Sequence, residues 1–120
     1  MRQARGRAAE AAALAMLQAR GLSLLARNYR CRLGEIDLVM RDGDELVFVE
    51  VRARSSEQHG GAAGSVDAHK QRRIYHAARH YLMAHPRAAS LPARFDVVAI
   101  SASDGENEAH WIRAAFDGAN

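Results

Sequence analysis

Residues 35–41, EIDLVMR, and residues 45–53, ELVFVEVRA, decide the fold of this chain of 120 residues. Both stretches are rich in aliphatic and β-branched side chains, which is typical of strands. The segment Asp42-Gly43-Asp44 between them has the composition of a tight turn. The sequence therefore predicts a β-hairpin across residues 35–53.

The apolar pattern of this hairpin predicts which of its side chains face one another, because alternate residues of a strand share a face. The best match joins two apolar sets: Ile36, Leu38 and Met40 with Val47, Val49, Val51 and Ala53. That match places Asp37 on the same face as Glu50 and Arg52. A two-residue turn at Gly43-Asp44 sets Asp37 directly opposite Glu50, whereas a turn at Asp42-Gly43 makes them diagonal neighbours. Both registers keep the two carboxylates within reach of each other.

Outside the hairpin, apolar periodicity, caps and turn residues predict the rest of a single domain over residues 1–120. These elements are a helix at 4–20 stopped by Gly21, a strand at 22–31, a Gly-rich loop at 55–65, a helix at 68–85 capped by Ser65 or Asp67, and strands at 94–101 and 109–114 around a turn at Asp104-Gly105. The order α-β-β-β-α-β-β predicts an α/β fold with a mixed sheet flanked by helices.

Cysteine content and hydropathy indicate the compartment. Cys31 is the only cysteine, so the chain can form neither an internal disulfide nor a zinc site made of cysteines, which suits a reducing cytoplasm. No apolar run reaches the roughly 20 residues of a membrane helix. Glu10 interrupts the alanine-rich N-terminal stretch, which argues against a signal peptide. We therefore expect a cytoplasmic protein without a membrane partner.

Charge is unevenly distributed although the net charge is only +3. Residues 1–34 carry +6, residues 35–58 carry −4, residues 59–94 carry +5 and residues 95–120 carry −4. Basic segments that flank an acidic middle fit a protein that binds a polyanion around a centre attractive to metal ions. Ordinary patchiness of a charged surface explains the same pattern, so both interpretations stay open.

The two hairpin carboxylates have two explanations. Facing acids on apolar strands repel each other, and burial adds a desolvation cost. A divalent cation relieves both effects, since Mg²⁺ commonly uses one or two carboxylates together with water and substrate phosphate. Alternatively, Arg52 and Arg54 neutralise Asp37 and Glu50 in a network of salt bridges.

Glu10 falls between Leu14 and Leu17 on the inward face of the first helix, where a carboxylate needs a partner. It either joins a functional site or reaches a nearby arginine. Lys70 and Gln71 lie in the first turn of the second helix, whose N-terminus favours an anion such as phosphate. They either contact a ligand or form an ordinary solvated turn. Sixteen of the seventeen Lys and Arg residues are Arg, and the one lysine suggests that a compact ammonium group is wanted there.

The motifs taken together resemble the uncharacterised YraN-like family of bacterial proteins. Five segments carry the resemblance over nearly the whole chain: Glu10-Ala11, Arg27-Asn28-Tyr29-Arg30, Gly34-Glu35-Ile36-Asp37-Leu38 with Val47 to Arg54, Lys70-Gln71-x-x-Ile74 with Ala77-Ala78 and Tyr81-Leu82, and Arg94-Phe95-Asp96-Val97-Val98. That family is similar to the PD-(D/E)xK nucleases and to archaeal Holliday-junction resolvases. The resemblance implies a restriction-endonuclease-like core.

The same resemblance implies roles for individual residues. Asp37 and Glu50 match the two acids of the nuclease motif, which bind Mg²⁺ or Mn²⁺, and Glu10 matches the acid of the first helix that completes such sites. Gln71 and Tyr75 have the Q-x-x-x-Y spacing of RecB-like nucleases. Candidate contacts to nucleic acid, with DNA as the expected partner, are Arg27, Arg30, Arg54, Lys70 and Gln71.

Position 52 departs from the motif, which has lysine where this chain has Arg52. A guanidinium is not a general base at neutral pH, but it can hold a phosphate and stabilise developing charge. We hypothesise that Lys70 takes the place of the missing lysine in space. The catalytic candidates are therefore Glu10, Asp37, Glu50 and Arg52, with Lys70 as the substitute cation.

Three functions remain open at the level of the sequence. The first is a metal-dependent endonuclease that hydrolyses DNA, branched or single-stranded. The second is a nucleic-acid-binding module that has lost turnover, and the third is a structural adaptor whose acids are paired in salt bridges. Metal binding separates the third from the others, and cleavage separates the first from the second. A homodimer is compatible with all three, and the sequence leaves the oligomeric state open.

Overall fold

The computed structural model of the chain describes residues 2–54, 66–103 and 106–117, with side chains described at 6–53, 66–101 and 108–117. Its elements are α1 (Arg2–Ala19), β1 (Ser23–Cys31), β2 (Gly34–Asp42), β3 (Glu45–Arg54), α2 (Ala68–Ala84), a 3-10 turn (Ala88–Ser90), β4 (Ala93–Ser103) and β5 (Glu106–Phe116). The order α-β-β-β-α-β-β is confirmed. The predicted loop at 55–65 and the predicted turn at Asp104-Gly105 lie outside the described residues.

One mixed sheet of five strands forms the centre of the molecule, in the spatial order β1-β2-β3-β4-β5. β3 and β4 run parallel, and the other neighbouring pairs run antiparallel. Parallel neighbours need a long crossover connection, and α2 lies in the chain between these two strands. α1 and α2 pack against the sheet in two separate apolar clusters. This arrangement confirms the α/β prediction and is compatible with a restriction-endonuclease-like core.

The β2–β3 hairpin has the register in which Gly43 and Asp44 form the turn. Asp42 pairs with Glu45 across that turn. Gly43 has φ +59°, a left-handed conformation that glycine adopts at little cost. The structure therefore selects the first of the two predicted registers.

The predicted faces of the hairpin are confirmed at its centre and wrong at one residue. Leu38, Met40, Val47 and Val49 all belong to the cluster beneath α1. Ile36 instead belongs to the cluster beneath α2, so the simple alternation on which its placement rested fails at the start of β2.

The helices bury the faces that their apolar spacing predicts. In α1 the fully buried side chains include Ala13 and Leu17, and Leu14 packs at the edge of the same cluster. α2 buries Ile74, Ala77, Ala78 and Tyr81. α1 ends before Gly21, whose φ of +95° is typical of the residue that follows a helix. Asp67 is the N-cap of α2 and accepts a hydrogen bond from the backbone N–H of Lys70.

Gly34 brings α2 unusually close to the sheet. A Cβ atom at this position would collide with the backbone carbonyl of Arg73 in the first half of α2. Only glycine permits this approach. The contact fixes the distance between α2, at Arg73, and the start of β2.

The last strand is longer than predicted, since β5 spans Glu106–Phe116 rather than 109–114. It pairs with β4 along most of its length, with an irregularity between Phe95 and Val97. Ala114 has φ +49° and donates its N–H to Asp96 Oδ1. β5 is an edge strand that begins with three polar residues, Glu106 to Glu108, and a polar start of this kind shows no apolar alternation in sequence.

Candidate functional site

Asp37 and Glu50 come together where β2 and β3 separate. The last backbone pair of the hairpin is Leu38 with Val49, and the next residues along the two strands are the two acids. Asp37 Oδ2 accepts a hydrogen bond of 2.8 Å from the backbone N–H of Val51, so a carboxylate continues the ladder in place of a carbonyl. Glu50 is only 4% exposed. The predicted juxtaposition of the two acids is confirmed.

The environment of Asp37 favours the neutral acid over the carboxylate. The pKa of Asp37 is raised to about 8, and burial is the largest cause. The charge of Glu50, a side-chain hydrogen bond with Glu50 and the charge of Glu10 also raise this pKa, whereas the N–H of Val51 lowers it. Among the described side chains, no Lys, Arg or His lies within 4.0 Å of the Asp37 carboxylate. Among the described side chains, Asp37 therefore has two acidic neighbours that favour its protonated form and no cationic neighbour within 4.0 Å.

Glu50, by contrast, has two cationic neighbours. Lys70 Nζ lies 3.1 Å from Glu50 Oε2, and Arg52 Nη1 lies 3.5 Å from the same oxygen. Lys70 reaches Glu50 from the first turn of α2, across a sequence separation that the crossover connection closes. The lysine in contact with Glu50 therefore comes from the helix, whereas the strand supplies Arg52.

Glu10 reaches the same region from α1. It is 7% exposed, and its Oε1 accepts hydrogen bonds from Arg27 Nε at 3.0 Å and from Asn28 Nδ2 at 3.1 Å. Asn28 has φ +50°, a conformation that asparagine tolerates better than most residues. The predicted contact of Glu10 with an arginine is confirmed. The charge of Glu10 also raises the pKa of Asp37.

An open cleft of about 400 Å³ leads to Asp37. Its wall includes the acids Glu10 and Asp37 and the basic side chains of Arg7 and Arg30. Arg30 is largely exposed and lies 3.3 Å from Glu35. Cationic side chains at the mouth and carboxylates at the base suit a phosphate that approaches a cation.

A second carboxylate cluster in the same sheet provides an internal comparison. At the turn end of the hairpin Arg94 donates hydrogen bonds to Asp96, Glu45 and Asp42 at 2.7 to 3.2 Å. Burial lowers the pKa of Arg94, but the hydrogen bonds to Asp96 and Asp42 outweigh it and raise the pKa above its ordinary value. Trp111 Nε1 also donates to Asp96 at 2.9 Å. In this cluster one central cation, Arg94, pairs with all three acids. The cluster at Asp37 differs, because no described cation pairs with Asp37.

The remaining candidates occupy varied positions. Gln71 donates its side-chain amide to the carbonyl of Val66 at 2.9 Å, which gives it a local role before α2. Tyr75 is half-buried, and the Arg79 guanidinium lies 5.9 Å from its ring centroid. Arg54 ends β3, but its side chain lies outside the described residues.

Two contributors escaped sequence reasoning. Asn28 was seen only as part of a motif, although its position next to Arg27 and the tolerance of asparagine for positive φ were available as signals. Arg7 lines the cleft because the packing of α1 on the sheet brings it to the same cleft as Asp37. No local pattern in the sequence indicates that packing.

The donor set fits a hard divalent cation. Carboxylate oxygens are the ligands that Mg²⁺ and Mn²⁺ prefer, and Asp37 lacks a described cationic partner. Within the described residues no group of three or more His, Cys, Asp or Glu side chains is arranged to hold a metal ion by itself. Water and substrate phosphate oxygens would therefore complete the coordination, as is usual for Mg²⁺.

Comparison with known proteins places the chain in a family. The family model described as "Uncharacterised protein family UPF0102" matches residues 9–100, which include Glu10, Asp37, Glu50 and Lys70. The chain belongs to UPF0102. This result confirms the YraN-like resemblance, and the nuclease-like likeness remains an inference from the residues.

Curated members of UPF0102 match almost the full chain. A UPF0102 protein of Nitrosomonas europaea is 56% identical over 94% of this chain and 93% of its own length. One from Stutzerimonas stutzeri is 54% identical over 96% of both chains, and one from Xanthomonas campestris pv. campestris is 56% identical over 96% of this chain and 93% of its own. None of the helices that the structure describes is long and apolar enough to cross a membrane.

Proposed function

We propose that the chain is a metal-dependent endonuclease-like protein that hydrolyses phosphodiester bonds in DNA. The observation that carries this proposal is the meeting of Asp37 and Glu50 at the fork of two strands, with Lys70 Nζ 3.1 Å from Glu50. Two acids and one ammonium group are the chemical components of a metal-dependent nuclease site, and here they come from three elements.

Asp37 and Glu50 would hold Mg²⁺ or Mn²⁺. When bound, such an ion polarises a phosphodiester and lowers the pKa of a coordinated water. It also offsets the mutual repulsion that raises the pKa of Asp37, so binding releases a proton from that carboxyl group at neutral pH. The backbone N–H of Val51 holds the ionised carboxylate in one orientation.

The cationic side chains would act on the phosphate. Lys70 carries a compact ammonium group beside Glu50, where it stabilises negative charge that develops on the scissile phosphate. Arg52 holds a phosphate oxygen but does not remove a proton from water, because a guanidinium group is not a general base at neutral pH. Arg7 and Arg30 guide the strand through the cleft by charge.

Glu10 would be a positioned acid at the base of the cleft. Arg27 and Asn28 both donate to Oε1, and no described residue donates to Oε2. The clamped carboxylate can therefore orient a water molecule through its second oxygen.

The alternative is a nucleic-acid-binding module with little or no turnover. Arg52 supports it, because arginine stands where the motif has lysine and it pairs with Glu50. In that case Lys70 and Arg52 together neutralise Glu50, and the cleft binds phosphate without cleaving it.

Cleavage distinguishes the two functions. Supercoiled, single-stranded and four-way-junction DNA would be incubated with the protein in Mg²⁺ or Mn²⁺, beside Asp37→Asn purified identically to exclude a contaminating nuclease. We expect cleavage that needs the cation and disappears in Asp37→Asn. Absence of cleavage on every substrate would contradict the nuclease proposal and leave the binding module.

A further inference from the structure

The outer face of α2 carries positive charge that no carboxylate among the described side chains pairs with. Its exposed side chains include Arg72, Arg73 and Arg79, together with His69, His76 and His80. After Asp67 the chain contains no acid until Asp96. We call the surface formed by Arg72, Arg73 and Arg79 the α2 arginine face.

These arginines differ from five others in the described part of the chain. Arg27, Arg30, Arg41, Arg52 and Arg94 each lie within 4.0 Å of a carboxylate. No described carboxylate lies that close to an arginine of the α2 arginine face. Arg72 and Arg79 are seven residues apart, about two turns, so they lie on the same side of the helix, and Arg73 lies beside Arg72. Among the described side chains these three guanidinium groups are therefore open to an anion.

The α2 arginine face lies on the same helix whose first turn reaches the candidate site. Lys70, two residues before Arg72, contacts Glu50 from the sheet-facing side of α2, whereas Arg72 and Arg79 lie on the outer side. At a rise of about 1.5 Å per residue, the distance along the axis from Lys70 to Arg79 is about 14 Å, or roughly four base-pair steps of 3.4 Å. The close contact of Gly34 with Arg73 fixes the helix to the sheet, so these charges are held at a fixed position relative to the acids.

The composition of the face favours a double-stranded partner. Proteins that bind single strands present aromatic side chains on which bases stack. Neither tyrosine of α2 is fully exposed to solvent, since Tyr81 is buried and Tyr75 is half-buried. Exposed guanidinium groups on a helix without an exposed Trp, Tyr or Phe suit the phosphates of a duplex better than the bases of a single strand.

We propose that the α2 arginine face binds the phosphate backbone of a nucleic-acid duplex and directs one of its strands to Asp37 and Glu50. The second half of this statement rests on the proposed function, and the first half does not. A duplex arm would lie along α2, with its end or branch at the cleft. This gives the site a double-stranded or branched substrate in preference to a free single strand.

The test compares two triple variants of equal charge. Arg72→Gln/Arg73→Gln/Arg79→Gln removes the α2 arginine face, and Arg20→Gln/Arg41→Gln/Arg113→Gln removes three exposed arginines elsewhere. Each changes the formal net charge from +3 to zero. Fluorescence anisotropy in EDTA, at several salt concentrations, would measure binding to a 20-base-pair duplex and to one of its strands. Thermal unfolding would check that both variants fold.

We expect the α2 variant to lose more than tenfold in duplex affinity relative to the control variant. The slope of log K against log salt should fall by about 2 to 3, because each phosphate contact contributes about 0.9. Equal losses in both variants, a loss confined to the single strand, or no duplex binding by the wild type would overturn the proposal. If the wild type binds duplex through this face but never cleaves it, the nuclease proposal fails and this one stands.

Discussion

At the scale of single residues, Asp37 is the group whose chemistry depends most on its surroundings. Its pKa is raised to about 8 by burial and by two neighbouring acids. A carboxyl group with a raised pKa in the folded state keeps a proton that the unfolded chain has released. Its effect is to lower stability progressively from about pH 4, the ordinary value for Asp, to about pH 8, and the effect is constant above that.

This sign gives a prediction for Asp37→Asn, which keeps an oxygen for the N–H of Val51 and cannot ionise. In EDTA, the melting temperature of the variant should rise above that of the wild type by an amount that grows from pH 5 to pH 8. Circular dichroism at a series of pH values measures it. Asp44→Asn is the control, since that side chain is 97% exposed. Parallel wild-type and Asp37→Asn curves would show that Asp37 titrates normally.

Lys70 and Arg52 can be separated by substitution, because both contact Glu50 Oε2 but only one is a lysine. We expect Lys70→Ala to lower the rate of cleavage by about 10² or more and Arg52→Ala to lower it less. Removal of a positive charge next to a metal ligand should leave cation affinity equal or higher. The rate of cleavage and the affinity for the cation would be measured for each variant. A loss of rate without a loss of cation affinity indicates that the Lys70 ammonium group acts in catalysis.

A rescue strengthens this comparison. Arg52→Lys in the Lys70→Ala background returns a lysine to β3, where the nuclease motif has it, and should recover part of the lost rate. Cleavage by Lys70→Ala at the wild-type rate would remove Lys70 from the mechanism.

At the scale of secondary-structure elements, the position of α2 depends on one glycine. Gly34→Ala should force α2 away from β2, since its Cβ would collide with the carbonyl of Arg73. Overpacking of this kind costs about 1–3 kcal/mol. Urea denaturation measures the loss. Gly6→Ala is a matched control within α1, where nothing lies within 4 Å of the added carbon. Gly6→Ala should be neutral or stabilising, and equal behaviour of the two variants would contradict a tight contact at Gly34.

The elements were predictable where the information is local. The β2–β3 hairpin followed from alternation and a turn signal, and α2 followed from its apolar spacing and its cap at Asp67. The full length of β5 was not predictable, because its strand character comes from pairing with β4 along a solvated edge. Ile36 was misplaced because alternation was extended to the start of β2.

The candidate site divides in the same way. Asp37 and Glu50 could be brought together from the sequence because one short turn joins their strands. The contact of Lys70 with Glu50 was reached only as a hypothesis, since it depends on how the crossover helix packs over the sheet. The hydrogen bond from Asn28 to Glu10 comes from a residue with positive φ within β1. Asparagine tolerates that conformation, but one asparagine does not specify it.

At the scale of the whole molecule, the sheet separates two kinds of acidic cluster. Asp42 is the last residue of β2, and Asp37 lies five residues before it, about 16 Å away at 3.3 Å per residue. Arg94 neutralises the cluster that includes Asp42. Asp37 instead lines a cleft together with Arg7 and Arg30, and Lys70 of α2 contacts the neighbouring Glu50. The basic and acidic segments of the sequence thus become a positively charged rim around a negatively charged base.

Cation binding by the isolated protein tests the central claim most directly, because it requires neither a substrate nor turnover. Isothermal titration with Mn²⁺ at pH 8 would compare the wild type with Asp37→Asn and with Asp42→Asn, a carboxylate at the other end of the same strand. We predict saturable binding to the wild type and to Asp42→Asn, and its loss in Asp37→Asn. No binding to the wild type, or equal binding to all three proteins, would mean that Asp37 and Glu50 do not form a metal site.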